Sequence, residues 1–450
     1  MKVAETVKAK GNAPASGAVG RAPAAHTDTY YRHPTIRWVS LLFCLSSVAL
    51  AAEQTSYRFQ FSPGPPAPGY VQVSPTAAYT KEAGYGFDLG SKPMAIRRGG
   101  GDLLRAGFCT GDQPFFFSAA LPEGNYNVTV LFGERLAAST NTVKAESRRL
   151  MLERVVTAPG QFETRTFTVN IRTPRITDDR SVRLKDREKG VLHWDDKLTL
   201  EFNGARPAVC ALDIVPADSA ITLFILGDST VTDQPREPWN SWGQMLTRFF
   251  LPGVAVANHA ESGESLKSSL GARRVEKVLT SLHNGDYVFV QFGHNDQKDK
   301  ATNAVAVYKA NLEKLVGDVR ARGATPVLIT SMERTSGVEK DTLAEYPATM
   351  MEVAKEQKVA LIDLHAMSRV FYRALGPDLK RAFVDGTHHN AYGSYELAKC
   401  VVEGIRANQL GLVKFLVPDV PAFDPAHPDP VEQFNIPPSP ASTSDKPEGS

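Results

Sequence analysis

The sequence predicts a parallel α/β domain preceded by an antiparallel β-sandwich. Two observations carry this. From about Ser56 to Pro216, short runs rich in β-branched and aromatic residues alternate with period two between turn residues, and no long helical pattern interrupts them. At Ile221 the pattern changes, and continuous apolar runs begin to alternate with helical ones, as expected for buried parallel strands joined by right-handed crossovers. The 450 residues are long for one core, which agrees with more than one domain.

The chain divides into four stretches. Residues 1–52 are a leader with an expected signal peptide. The apolar run Trp38–Leu50 is short for a membrane span, follows Arg32 and Arg37, and ends in the small-residue site Ala49-Leu50-Ala51. The protein is therefore expected to be secreted or periplasmic, without a stable membrane anchor. The charged segment before this run is long for a signal peptide, so residues up to about Tyr30 are expected to precede the true start.

Residues 54–218 form the sandwich. Its expected strands include Tyr57–Phe61, Tyr126–Phe132, Thr166–Ile171, Lys197–Phe202 and Val209–Val215, with turns at Glu123-Gly124-Asn125 and at Asn203-Gly204. Asn127-Val128-Thr129 matches a glycosylation sequon but falls within a predicted strand.

Residues 219–415 form the α/β domain. Its strands are expected at Ile221–Leu226, Val254–Ala257, Asp286–Phe292, Pro326–Thr330 and Val359–Leu364. Tyr308, Leu312, Leu315, Val316 and Val319 share one helical face, with Gly323 as its stop. Pro347 suits the first turn of a later helix. Another helix follows Asn390 and carries Leu397, Val401, Val402 and Ile405. Residues 416–450 are rich in Pro, Ser, Asp and Glu and are expected to be disordered.

Composition limits the function. A net charge of +2 gives no basic footprint, which argues against nucleic acid as the main partner. It leaves room for a local Arg and Lys cluster that could serve an acidic polysaccharide. Of the four cysteines, Cys44 lies in the expected signal. Cys109 and Cys210 share the sandwich and could pair, while Cys400 reads as a small core residue. No Cys or carboxylate cluster completes a zinc spacing, so neither a metal nor another cofactor is expected.

Four segments could carry chemistry. Gly227-Asp228-Ser229-Thr230 directly follows the first α/β strand, which lifts Ser229 to the sheet edge where ligands bind in open α/β folds. An ordinary helix cap is the plainer reading of a lone serine there. Asn258–Ser265 follows the second strand, and its Gly263 would let a backbone N–H approach a ligand. Gly293-His294-Asn295-Asp296 ends the third strand, where the Asn295 amide could donate to the same developing charge. Asp385-Gly386-Thr387-His388 sets a carboxylate three residues before an imidazole, close enough to fix its tautomer and leave the other ring nitrogen for a serine. His388 is the better base, and its neighbour His389 reads as a hydrogen-bonded supporting residue.

In this order the four segments resemble the SGNH (GDSL) hydrolase superfamily. More narrowly, the region from about Ile221 to Asn408 is similar to the rhamnogalacturonan acetylesterases of carbohydrate esterase family twelve. That similarity rests on Gly227–Val231, Trp242-Gly243, Asn258–Ala260, Asp286–Val288 with Gly293–Asp296, and Asp385–His388. Ala120–Tyr126 and Trp194–Leu198 resemble the galactose-binding-like sandwich of bacterial members. That domain could bind sugar or could simply pack on its neighbour.

The resemblance implies a catalytic set of Ser229, His388 and Asp385. It also implies an oxyanion hole made by the N–H groups of Ser229 and Gly263 and the Asn295 side chain. The implied reaction is removal of acetyl groups from a plant cell-wall polysaccharide, above all acetylated rhamnogalacturonan (pectin), with an acetylated polysaccharide or oligosaccharide as partner. Two alternatives remain open. One is a GDSL lipase or thioesterase acting on longer acyl chains. The other is a carbohydrate-binding protein without catalysis.

Overall fold

The computed structural model describes residues 55–448. The leader, the expected signal peptide and Cys44 lie outside these residues. Among the described residues no helix is long and apolar enough to cross a membrane.

The sandwich is made of two sheets. One runs in the order Phe162–Ile171, Gly124–Gly133, Val209–Pro216, Tyr57–Gln60 and Val71–Gln72, with Met94–Arg97 and Gly107–Thr110 branching from Val209–Pro216. The other runs Tyr85–Asp88, Phe115–Ala120, Lys197–Arg206, Ser139–Ala145 and Arg149–Thr157. Their inner faces close on Phe59, Phe61, Phe87, Phe117, Val128, Val130 and Leu200. Pairing is antiparallel as expected, except that Tyr57–Gln60 and Val71–Gln72 run parallel for two residues and Ala78 forms a parallel bridge with Phe87.

Three details differ from the sequence reading. Asn203-Gly204 is not a turn but a bulge inside strand Lys197–Arg206, with Gly204 at φ +130°. Cys109 and Cys210 do not pair. Cys109 stands opposite Val209, one residue from Cys210, so the strand's period of two sends the two thiols to opposite faces of the sheet. Cys109 joins the sandwich core, and Cys210 packs with Phe108 and Ala208 on the other side. The third difference is the C-terminal tail.

The second domain holds a five-stranded parallel sheet in the order Val254–Asn258, Ile221–Leu226, Tyr287–Val290, Thr325–Ile329 and Ala360–Ile362. The strands are buried on both faces, which is why they read as unbroken apolar runs. Leu223 and Ile225 face a core shared with Trp242, Leu246, Phe371, Leu397 and Val401. Phe224 and Leu226 face the opposite core, shared with Leu266, Val278, Leu312, Val316 and Met350. The result is a three-layer α/β/α arrangement. Helix Ala304–Arg320 buries Tyr308, Leu312, Leu315, Val316 and Val319. Helix Tyr346–Gln357 has Pro347 in its first turn, and Asn390 caps helix Ala391–Ala407 by accepting from the Gly393 N–H.

The tail is ordered, against the expectation of disorder. Its few apolar residues are well placed: Val420 and Ile436 are buried in the α/β core, and the Phe434 ring lies edge-on to Tyr392 and Tyr395. Its backbone is also held from outside. Pro437 O accepts from Lys144 Nζ at 2.7 Å, Pro438 O from Asn203 Nδ2 at 2.9 Å, and Val420 O from Arg406 Nη2 at 2.7 Å. Low mean hydropathy hid this, because the tail is anchored by contacts with both domains rather than by a core of its own.

Candidate active site

Ser229 sits where strand Ile221–Leu226 ends, buried at the carboxyl edge of the sheet. The turn is shaped by its own residues. Asp228 Oδ1 accepts from the N–H of Thr230 at 2.9 Å and from its hydroxyl at 2.7 Å, and Asp228 O accepts from the N–H groups of Val231 and Thr232. Burial raises the Asp228 pKa, but His294 and Thr230 outweigh this and hold it below the usual carboxylate range. Helix Trp242–Leu246 lies flush on this turn because residue 243 is glycine. A Cβ there would stand 2.3 Å from Val231 O.

His388 reaches Ser229 from the loop that precedes helix Ala391–Ala407. Its Nε2 lies 2.8 Å from Ser229 Oγ, and its Nδ1 lies 3.0 Å from Asp385 Oδ2. Asp385 also accepts the backbone N–H groups of Thr387 and His388, both at 2.7 Å, so the loop folds around the carboxylate. Burial raises the Asp385 pKa, but the His388 ring and these N–H bonds prevail and keep it far below the usual range. Trp239 stands edge-on to the His388 ring, with centroids 5.7 Å apart. His389 points elsewhere: its Nε2 meets Tyr372 Oη at 2.8 Å, and Phe383 covers its ring.

Gly263 and Asn295 occupy turns tied to one another and to Ser229. Asn295 Nδ2 donates to Glu264 O at 3.1 Å, and Asp296 Oδ1 accepts the Leu266 N–H at 2.9 Å. Gln234 Nε2 donates to Ser229 O at 2.8 Å and lies 3.4 Å from Ser262 Oγ, which sets the Ser262–Gly263 turn beside the serine. Gly263 has φ +75°, which favours glycine. An amide carries two N–H donors, so Asn295 keeps one beyond its bond to Glu264 O.

The sequence reading missed the residues that hold this corner from the sandwich. Arg149 donates to Val256 O at 3.0 Å and Asn170 O at 2.9 Å, and its Nε lies 3.5 Å from Asp233. Arg172 bonds Asn258 O and lies 3.8 Å from Asp233. Arg148 donates to Gln234 O at 3.0 Å and Trp239 O at 2.9 Å. The one signal available was the charged cluster Glu146-Ser147-Arg148-Arg149 at a strand junction. Among the described residues, one trio could bring metal ligands together: Glu333, Asp341 and His365, with ligand atoms within 4.8 Å of one another. Glu333 there already accepts two backbone N–H groups, from Arg334 and Thr342.

A buried hydroxyl, an imidazole and a carboxylate in hydrogen-bonding sequence at the edge of a parallel sheet are the arrangement of a serine hydrolase. Comparison with known proteins agrees. Residues 225–394 match the GDSL-like Lipase/Acylhydrolase family, and residues 57–176 match the beta-agarase/YXIM esterase-like, galactose-binding domain-like family. The rhamnogalacturonan acetylesterase RhgT of Bacillus subtilis (strain 168) is 38% identical over 219 residues, 44% of this chain and 94% of that one. The uncharacterized esterase YxiM of the same organism is 26% identical over 389 residues, 81% of this chain and 95% of its own. The solved structure of Bacillus subtilis YxiM has a TM-score of 0.43 at 24% identity, covering 80% of this chain and 100% of that one. The chain belongs to the GDSL-like lipase/acylhydrolase family, with an N-terminal galactose-binding-like domain, and is a carboxylic ester hydrolase.

Proposed function

We propose that this protein is an exported esterase that removes acetyl groups from acetylated rhamnogalacturonan. The observation that carries the reading is the continuous relay from Asp385 through His388 to Ser229, with contacts of 3.0 and 2.8 Å. Similarity to RhgT over nearly all of that relative's length supports the choice of ester.

His388 Nε2 takes the Ser229 proton as Oγ attacks the acetyl carbonyl carbon. Asp385 keeps the proton of His388 on Nδ1 and stabilises the imidazolium that forms. The N–H groups of Ser229 and Gly263 and the free Asn295 amide N–H donate to the oxyanion. His388 then gives its proton to the departing sugar oxygen, leaving acetyl on Oγ. Water, deprotonated by the same imidazole, attacks this ester, and acetate leaves as Oγ regains a proton. The relay is complete without a metal, so chelator-treated protein is expected to keep its activity.

The test is acetate release from acetylated rhamnogalacturonan, xylan and mannan, together with hydrolysis of acetyl and long-chain p-nitrophenyl esters. The highest kcat/KM is expected on rhamnogalacturonan, and acetyl esters should exceed long-chain ones. Preference for long acyl chains would replace this reading with a lipase or thioesterase.

A further inference from the structure

The connection between strands Phe162–Ile171 and Lys197–Arg206 brings two cations of the sandwich to the Gly263 turn. Lys185 Nζ and Arg187 Nη2 each donate to Ser262 O at 2.6 Å. That carbonyl belongs to the same peptide unit as the Gly263 N–H, so both cations stand one peptide away from a proposed oxyanion donor. A fourth participant arrives from the end of the tail. Glu448 Oε2 lies 3.1 Å from Lys185 Nζ and pairs with Arg187 Nη1. Its Cγ and Cδ lie 2.9 Å from where a Cβ on residue 263 would be, so glycine there is what admits the carboxylate.

The setting is that of a ligand site. A cavity of about 390 Å³ lies here, lined by Arg187, Gln234, Trp239, Ser262 and the tail segment ending at Glu448. Trp239 is the residue that stands edge-on to His388. The Glu448 side chain remains 54% exposed, and Arg187 remains 41% exposed, so their contact can exchange with solvent or ligand. Of the carboxylates within the protein near these cations, Glu261 bonds Arg187, Glu264 lies 3.4 Å from Lys185, and Glu188 pairs with the buried Arg274. Burial and the neighbouring Glu188 push the Glu261 carboxyl up, while Arg274 and Arg187 pull it down.

We propose that Lys185 and Arg187 form a subsite for the carboxylate of a uronic acid residue neighbouring the acetylated sugar, and that Glu448 holds this subsite until substrate displaces it. The inference rests on the polysaccharide reading above and adds the group recognised. Rhamnogalacturonan carries such a carboxylate on each galacturonate, and an Arg guanidinium binds a carboxylate with charge-assisted hydrogen bonds. A tethered carboxylate competes at an effective concentration in the millimolar range, so it raises the apparent KM without preventing binding.

The test uses full-length protein and two substrates: acetylated rhamnogalacturonan oligosaccharides, and the same oligosaccharides with their carboxylates methyl-esterified. Wild type should favour the charged substrate in kcat/KM about tenfold or more. Arg187→Gln and Lys185→Gln should each reduce that charged-to-neutral ratio about tenfold, and Glu448→Gln should raise it about threefold through KM. Equal loss on both substrates in the Arg187 and Lys185 variants would mean that the cations merely support the Ser262 turn, and the subsite would be rejected. An unchanged ratio in all three variants would also reject it. Inhibition of p-nitrophenyl acetate hydrolysis by unacetylated galacturonate oligomers separates the two proposals. Competitive inhibition that weakens about tenfold in Arg187→Gln, with no acetate released from either oligosaccharide, would keep the subsite and overturn the substrate. Acetate release from rhamnogalacturonan without such inhibition would do the reverse.

Discussion

The interior of the sandwich and its joint with the α/β domain are both buried, yet they are built from opposite materials. Inside the sandwich, Phe117 meets Phe59, Phe61 and Phe87 edge-on, and aliphatic side chains fill the remaining space. At the joint, Arg149 and Arg172 converge on Asp233 with hardly any exposure. Burial pushes the Asp233 carboxyl up, and the two arginines pull against it. Apolar packing is non-directional and tolerates exchange of similar shapes, whereas a buried charge must have its partner in place. The joint is therefore the directional part of the sandwich, and it is aimed at the loop that follows Ser229. Leu150, next to Arg149, goes further and packs into the α/β core.

The largest expected effect separates chemistry from positioning. Ser229→Ala and His388→Ala should each lower kcat on p-nitrophenyl acetate by on the order of 10⁶ while thermal unfolding stays near that of wild type. Retention of activity in either variant would remove the relay from the mechanism. Arg149→Met should behave differently, lowering stability and turnover together. It leaves Asp233, Val256 O and Asn170 O without a partner they now have, which should cost about 3–5 kcal/mol in urea unfolding. A loss below about 1 kcal/mol would show that the joint is no more directional than the core.

The joint and the loop that carries His388 also bury imidazoles. His193 and His259 are held well below the ordinary imidazole pKa by burial and nearby arginines. His389 is lowered from 6.5 to about 3, first by burial and then by His388. The unfolded chain binds this proton first, so stability falls as pH drops through 6.5 and this contribution levels off near 3. His389→Gln should reduce the loss of unfolding free energy between pH 7 and pH 5 by about 2 kcal/mol. An identical pH slope in the variant would mean that His389 takes up its proton equally in the folded and unfolded chain.

Sequence made the α/β domain and its candidate site legible because both are written in local signals. A buried parallel strand is an unbroken apolar run, and Ser229, Asn295 and His388 each stand within a few residues of such a run or of a turn residue. His388 could be separated from His389 because Asp385 lies three residues before it, and the loop closes on that carboxylate. The joint was not legible. Arg149 and Asp233 are brought together only by packing of the two domains, and nothing in the residues around either one indicates its partner. The tail failed for the same reason. Its order comes from Lys144, Asn203 and Arg406, far away in the chain, while its own composition reads as solvated.

The mildest prediction places the same incoming side chain in the other interior. Leu200 and Arg149 are equally buried, with about 1% of each exposed. Leu200 packs in the sandwich core opposite Phe117 on the neighbouring strand. Leu200→Met keeps nearly the same volume and strands no polar group, so it should cost about 1 kcal/mol or less in urea unfolding and leave kcat unaltered. Burial alone would make the two methionine variants alike, whereas the directional joint makes Arg149→Met several times more costly. Equal losses at the two positions would mean that the arginines are spacers, and the sandwich would then hold the Ser229 loop by shape rather than by charge.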